Sequence, residues 1–528
     1  MTIRNAKICV STSVSKLEMP ELRQSIAQHY HERTKYDPET ISAKNNGLDW
    51  AKQPVPFKEY KIGSNFDLKP YIKEKSDSFA NNSEKQWWQR ISRLMLCSYG
   101  LTARMPSMGN TVYLRAAPSA GGLYPAEMYL ISRGTPLLPP GLYNYQCRTH
   151  SLMHYWESDI WQKLQEACLG NSSLENTQLA IVVTSVFYRS AWRYQDRAYR
   201  RIFLDTGHLI GNIELAGALT NYRPYLIGGF VDQDLNELLY IDSTQEGAIA
   251  VIGLADLQDI ETNFSCGRTA LPSATETDYP QIPDGELLNY FHLATQIQPG
   301  TKGKLNLPVL KQDKSLEDKY NFSFCEKIST VTKSLYWGNN LEHLEETILK
   351  RRSTRAFSGE SLKFYELKAL LDFTYQPQNY INQNLDNSPD YFDLNLIETF
   401  IAVSGVEDLE RGCYYYAPKA QELRQIRFKN FRRELHFLCL GQDLGRDAAA
   451  VIFHTADLKT AVAQYGDRVY RYLHMDAGHL GQRLNLGAIN LGLGVSGIGG
   501  FFDDKVNEVL GIPTDEVVLY ITTLGRPR

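Results

Sequence analysis

Leu473, Ala477, Leu480, Leu484, Ala488 and Leu491 recur at steps of three and four, which puts them on one stripe of an α-helix. The residues between them are also largely apolar, so this helix is predicted to be buried on most sides. The stretch around it, residues 464–504, begins in a charged aromatic cluster and ends in Gly492, Gly494, Gly497, Gly499 and Gly500. The same sequence of features occurs upstream at residues 193–233, which predicts one core helix in each half of the chain. Short β-patterned runs at 128–131, 179–184, 400–403, 449–453 and 517–522 alternate with helical ones. Each half is therefore predicted to be mixed α and β.

The two halves are copies. Pro118 and Pro389, Gly141 and Gly412, Cys168 and Cys439, Asp196 and Asp467, and Gly229 and Gly500 are all 271 residues apart. Tyr143 and Tyr145 match Tyr414 and Tyr416 in this register, and Arg197, Arg200 and Asp205 match Arg468, Arg471 and Asp476. An aromatic-His-x-x-Thr motif also occurs twice, at Tyr30-His31 and Phe291-His292. Each is followed by an extended segment, near Pro54-Val55 and Pro308-Val309. Residues 271–285 are polar, Pro-containing and without periodicity, and mark the junction.

Composition narrows the class. Of 528 residues, 43% are hydrophobic and 22% charged, a globular balance. A net charge of -4 and the lack of a basic stripe argue against nucleic acid as a partner. The eight cysteines have no close metal-ligand or redox spacing, so reduced thiols and no metal are expected. No secretory signal pattern or long apolar run is present, which predicts a cytoplasmic protein without membrane association.

The copies differ in complementary ways. Residues 346–357 of the second read ETILKRRSTRAF, against YIKEKSDSF at 71–79 in the first. Asn221, Arg223 and Leu226 stand opposite Gly492, Gly494 and Gly497, where large side chains would block a ligand, and the closing Gly525-Arg526-Pro527-Arg528 faces an uncharged Gly253-Leu254-Ala255. Conversely, PSAGGLYP at 118–125 of the first copy has become PDYFDLNL at 389–396 in the second. Arg351, Arg355, Arg526 and Arg528, with the hydroxyl of Ser353, suit a phosphate dianion, and glycine-rich turns let backbone N–H groups approach a flat polar ring. The combination predicts a phosphorylated planar cofactor at a seam between the halves. RRSTR alone is more often a solvated helix end than a phosphate site, and a glycine run more often a plain turn; the loss of both in one copy shifts the balance. His208 and His479, in D-x-G-H, read as helix-packing residues, and the Asp196-Arg197 and Asp467-Arg468 pairs as structural ion pairs.

With RRSTRAF, GLGVSGIGGFFDD and LGRPR in the second half, and YGLTARMP, APSAGGLYPAEMYL, GLYNY and YQDRAYR–DTGH in the first, the chain resembles nitroreductase-like flavin enzymes. Within these it resembles SagB-type azoline dehydrogenases and cyanobactin (ThcOx-like) oxidases. The resemblance spans residues 30–528 and implies an α+β fold: a tandem duplicated nitroreductase-like α-β-α sandwich forming an intrachain pseudo-dimer. The implied divisions are an N-terminal arm (1–60), a first half (61–262), a linker with second arm (263–300) and a second half (301–528). One FMN per chain is implied, with Arg351, Ser353, Arg526 and Arg528 on its phosphate and Arg355 at the N1/O2 edge. Ile498, Gly499, Gly500 and Gln442 would meet the ring, and Pro118, Ser119, Ala120 and Gly122 would close the site. Implied partners are a heterocyclised peptide and cyclodehydratase enzymes, with a homodimer of whole chains left open. The family's Lys-Tyr pair is replaced by Arg193-Tyr194 and Gln464-Tyr465, so Tyr194, assisted by Arg193, is the first candidate for proton handling and Tyr465 the second. The implied activity is oxidation of peptide thiazolines or oxazolines to azoles. A nicotinamide-dependent nitro or quinone reductase and a flavin-free peptide scaffold are the alternatives.

Overall fold

The computed structural model describes residues 23–41, 47–72, 83–107, 110–258, 266–300 and 317–528. Pro308-Val309 and most of the 71–79 stretch lie outside these. Two long helices, Ala198–Thr220 and Val469–Asn490, are buried along almost their whole length. Their sequences explain how they end: the first stops at Asn221 in the left-handed region (φ 55°), and the second is followed by Gly492 at φ 71°. Asparagine and glycine tolerate that conformation best.

Each long helix packs with a seven-stranded antiparallel sheet, and the two sheets have the same strand order. The first runs Ser64–Asp67, Ser151–Trp156, Gly141–Gln146, Ala126–Ser132, Leu179–Val186, Glu246–Asp256, Tyr222–Ile227. The second runs Lys327–Ser329, Glu422–Arg427, Gly412–Ala417, Glu398–Val403, Ala450–Asp457, Glu516–Gly525, Gly494–Ile498. The central strands are buried on both faces, which is why they read as continuous apolar runs. A separate hairpin, Leu101–Ser107 with Asn110–Arg115, rises from the first half.

The halves meet where the long helices cross. A Cβ on Gly207 would collide with the Met475 carbonyl oxygen, and one on Gly478 with that of Leu204. These two glycines are counterparts in the repeat, and only glycine allows so close an approach. The glycine of D-x-G-H is thus the crossing point. Its histidines pack at the same interface: His208 bonds Gln482 (2.8 Å) and the Tyr520 hydroxyl (2.8 Å), while His479 stacks on Tyr391 at 4.2 Å.

Arginines expected to pair with the preceding aspartate instead reach across. Arg197 and Arg200 pair with Asp503 of the second half (2.8 and 2.7 Å), and Arg468 and Arg471 with Asp232 of the first (2.6 and 2.8 Å). Asp196 accepts from the backbone of Gly285 and Leu288, and Asp467 from that of Ala27 and Glu276. The Asp-Arg reading is therefore corrected: each aspartate holds an arm and each arginine holds the opposite half. The arms are short helices, Ile26–Arg33 and Leu287–Ala294, whose Tyr30 and Phe291 stack at 4.4 Å. His31 bonds Tyr470 and His292 bonds Tyr199, each at 3.2 Å. The 271–285 stretch has no helix or strand, yet it is fastened, with Ser273 N–H donating to the Tyr465 carbonyl and Glu276 accepting from Ile26 N–H.

Gly207→Ala is expected to destabilise the chain by roughly 3 kcal/mol or more, because backbone cannot yield at the crossing. Gly47→Ala, with nothing within 4 Å, is expected to change stability by less than about 0.5 kcal/mol. Urea denaturation of both variants checks this.

Candidate functional site

The RRSTRAF segment follows the helix Glu342–Lys350 and is stitched to the closing residues of the chain. Thr354 N–H donates to Val495 O, Ser358 N–H to Arg526 O, and Arg528 N–H to Ala356 O. This brings Arg351, Ser353, Arg355, Arg526 and Arg528 into one region of the second half. Arg351 is buried and reaches into the first half, donating to the carbonyls of Ala116 (2.6 Å) and Arg115 (3.2 Å), while its Nη1 has no partner. Burial, with Arg352 and Arg355 nearby, pushes its pKa down to about 10. Arg355 and Arg528 are exposed. Arg526 is held by both Glu366 oxygens (2.9 and 2.8 Å).

The 118–122 turn of the first half follows the Ala116 carbonyl that Arg351 reaches. Asp205, from the long helix, accepts from Ser119 Oγ (2.6 Å) and Ala120 N–H (3.0 Å), and Ser119 Oγ accepts from Tyr124 N–H. Burial raises the Asp205 carboxyl to about 7, against the lowering effect of those bonds. Gly121 (φ 65°) and Gly122 (φ 68°) carry the turn, and a Cβ on Gly121 would lie 2.8 Å from the Tyr194 hydroxyl. Tyr194 closes the helix Phe187–Tyr194, and Arg193 beside it is exposed. Burial raises the Tyr194 pKa, with Arg201 and Arg193 opposing.

Two residues bear on this seam that the motifs do not single out. The Arg201 guanidinium lies 3.8 Å over the Tyr194 ring and against the Gly499-Gly500 turn, and its Nη1 is buried without a partner. Tyr520 carries the hydroxyl that Gly497 makes room for, just as Gly494 makes room for Thr354. These two glycines therefore serve close packing within the second half. Ile498 is buried at a strand end, and Gln442 is exposed with its amide donating to Cys439 O. Arg201 could have been found from the repeat, since its counterpart is Tyr472.

The related seam is filled. Asp390 pairs with Arg223 (2.8 Å) and accepts from Leu226 N–H. Tyr391 stacks on His479, and Phe392 stacks on Tyr472 at 4.6 Å, its ring against Gly228. Their counterparts are Ser119, Ala120 and Gly121. Tyr465 belongs to this filled seam, its hydroxyl donating to Asp393 (3.0 Å), so the structure does not bring it to Gly499-Gly500.

Two copies of one sheet order and a helix crossing between them define a duplicated two-half fold, and the chain belongs to the Nitroreductase family, which it matches at residues 91–255 and 348–526. It is similar to a crystal structure of a "putative nitroreductase" from Anabaena variabilis, with 76% identity, a TM-score of 0.90 and coverage of 96% of this chain and 100% of that one. It is also similar to "Putative nitroreductase MJ1384" of Methanocaldococcus jannaschii, 31% identical over 35% of this chain and 90% of the relative. Two further relatives are processing proteins. Trifolitoxin-processing protein TfxF of Rhizobium leguminosarum is 26% identical over 24% of this chain and 42% of its own length. Microcin B17-processing protein McbC of Escherichia coli is 24% identical over 28% and 55%. Among the described residues no helix is long and apolar enough to cross a membrane.

The raised Asp205 pKa has a consequence for stability. Its native value lies above the unfolded one of about 3.9, so between pH 4 and 7 the native state holds more protons and stability falls as pH rises. Asp476, raised to about 7 in the same way, contributes equally. Glu398 and Asp467, raised to about 7 and about 6, add to it, and Asp205→Asn is expected to remove only its own share of the decline, a gain of up to about 4 kcal/mol at pH 8 relative to pH 4. Denaturant titrations at the two pH values measure it.

Proposed function

We propose that this chain is an FMN-dependent oxidase of peptide thiazolines or oxazolines, producing thiazoles or oxazoles. The observation that carries it is that Arg351, from the RRSTR segment of the second half, reaches the Ala116 carbonyl just ahead of the PSAGG turn of the first, while Arg201, over the Tyr194 ring, lies against Gly499 and Gly500 of the second. The residues fit an anionic flat ligand. Arg351 presents an unpartnered buried Nη1, and a buried guanidinium without a counter-ion is costly until an anion completes it. Arg351, Ser353, Arg526 and Arg528 would hold the phosphate, with Arg526 shared with Glu366. Arg355 would face the N1/O2 edge, where a cation favours the reduced ring. Ile498, Gly499, Gly500 and Gln442 would border the ring, and Pro118, Ser119, Ala120 and Gly122 would close it in. FMN, when bound, supplies the two-electron acceptor.

The chain's own residues position the substrate and hold its proton. Tyr194 carries a proton on its phenol oxygen at neutral pH, since burial raises its pKa, and Arg193 and Arg201 beside it favour release of that proton. Asp205 fixes the turn that faces it. The peptide reading draws on the two processing-protein relatives, and cyclodehydratase-type partners follow from that reading. A nicotinamide-dependent reductase remains the second reading, supported by the family match itself.

Denaturing release is expected to yield one FMN per chain, and a yield of two would refute the single-seam assignment. Colourless protein would favour a flavin-free scaffold. A heterocyclised peptide should lose about 2 Da per ring as two hydrogens leave, whereas rapid bleaching by NADPH without that loss would favour the reductase. Arg351→Ala combined with Arg355→Ala should abolish flavin retention, read by absorbance after gel filtration.

A further inference from the structure

The repeat isolates one residue whose hydrogen-bonding capacity the proposed chemistry does not use. At position 201 the first half has arginine where the second has Tyr472. Each side chain lies against the glycine pair of the opposite half: Tyr472 against Gly228, and Arg201 against Gly499 and Gly500. In the filled seam Tyr472 is satisfied. Its hydroxyl bonds the carbonyls of Gly228 (3.1 Å) and Leu271 (2.9 Å), and its ring is covered by Phe392. At the other seam the residue in the place of Phe392 is Gly121, and Arg201 is not satisfied. Only 6% of it is exposed, it makes no ion pair among the described residues, and Nη1 has no hydrogen-bond partner.

The nearest candidate to neutralise it is otherwise engaged. Asp205 spends its oxygens on Ser119 and Ala120, and its raised pKa keeps much of it protonated at neutral pH. The Tyr194 ring takes one face of the guanidinium, and at its edge Nη1 has no protein acceptor. A guanidinium edge matches the two oxygens of a carboxylate. A neutral carbonyl offers one oxygen and no charge, so it cannot offset a desolvated cation to the same degree.

We propose that Arg201 is the anion-recognition residue of this seam, and that the heterocycle oxidised there carries a free carboxylate, as a ring at a peptide's C-terminus does. This rests on the substrate class proposed above and narrows it: an internal azoline, whose carboxyl is an amide, is disfavoured. Arg201 would bind the carboxylate and leave the redox step to the groups already described.

Stable product analogues test it without turnover. Isothermal titration calorimetry of the purified protein, with flavin content measured separately, is run with thiazole-4-carboxylate and thiazole-4-carboxamide. The carboxylate is expected to bind on the order of tenfold tighter or more, since a charge-assisted pair replaces a neutral one. Arg201→Met keeps the stem against Tyr194 and should erase the preference. Arg201→Lys, with charge but no fork, should keep part of it. Equal binding of acid and amide by the unaltered protein overturns the proposal, whatever the variants do, and so does a preference that survives in Arg201→Met. Failure to dehydrogenate azoline peptides, with the carboxylate preference intact, would instead count against the azoline oxidase reading.

Discussion

The contact of Gly207 with Gly478 governs the rest of the molecule. Two helices whose backbones touch leave no room for side chains at the crossing, so everything flanking it is fixed in position. Just ahead of each glycine is an aspartate, Asp205 or Asp476, and each holds the loop that borders its own seam. Immediately after each glycine is a histidine packed against the opposite half. The D-x-G-H motif, whose histidines read as helix-packing residues in one dimension, is thus a joint: an anchor, a bare contact and a wedge.

Around that joint the halves are interlocked by charge as well as shape. The buried arginine pairs on Asp232 and Asp503 are fully removed from water, so their value lies in specifying which surfaces meet more than in net stability. They also explain why Asp-Arg recurs in both copies without the two residues pairing. The arms complete the arrangement by crossing to the neighbouring half, where Tyr30 and Phe291, matching residues of the two copies, stack on each other. Neither half buries its long helix alone.

Much of this is legible in the chain of residues itself. The constant spacing of 271 residues locates the matching strands and helices, because insertions inside a packed sheet are not tolerated whereas those between arm and core are. Helix periodicity finds the second long helix and the repeat finds the first, while the loss of PSAGG in one copy and of RRSTR in the other is the ground for proposing a single site. Partnership is harder to read. Nothing local marks Asp232 as the mate of Arg468, since a contact between halves has no sequence period. Tyr465 illustrates the same limit: motif position alone does not assign it to a seam, and its environment, Asp393 and Tyr472, belongs to the filled one. Gly494 and Gly497 look like ligand clearance and instead accommodate Thr354 and Tyr520, because a glycine reports close approach without saying of what.

The filled seam matters for what the other can become. In a symmetric dimer every substitution appears in both pockets, so a residue that plugs one also plugs the other, and any change tolerated in one must be tolerated in both. Here Phe392, Tyr391 and Arg223 occupy positions at one seam whose counterparts at the other are Gly121, Ala120 and Gly494, so the two sides vary independently. The filled side serves as a rigid keel, and the other side is released from the twofold constraint, so an arginine can stand where its twin is a tyrosine.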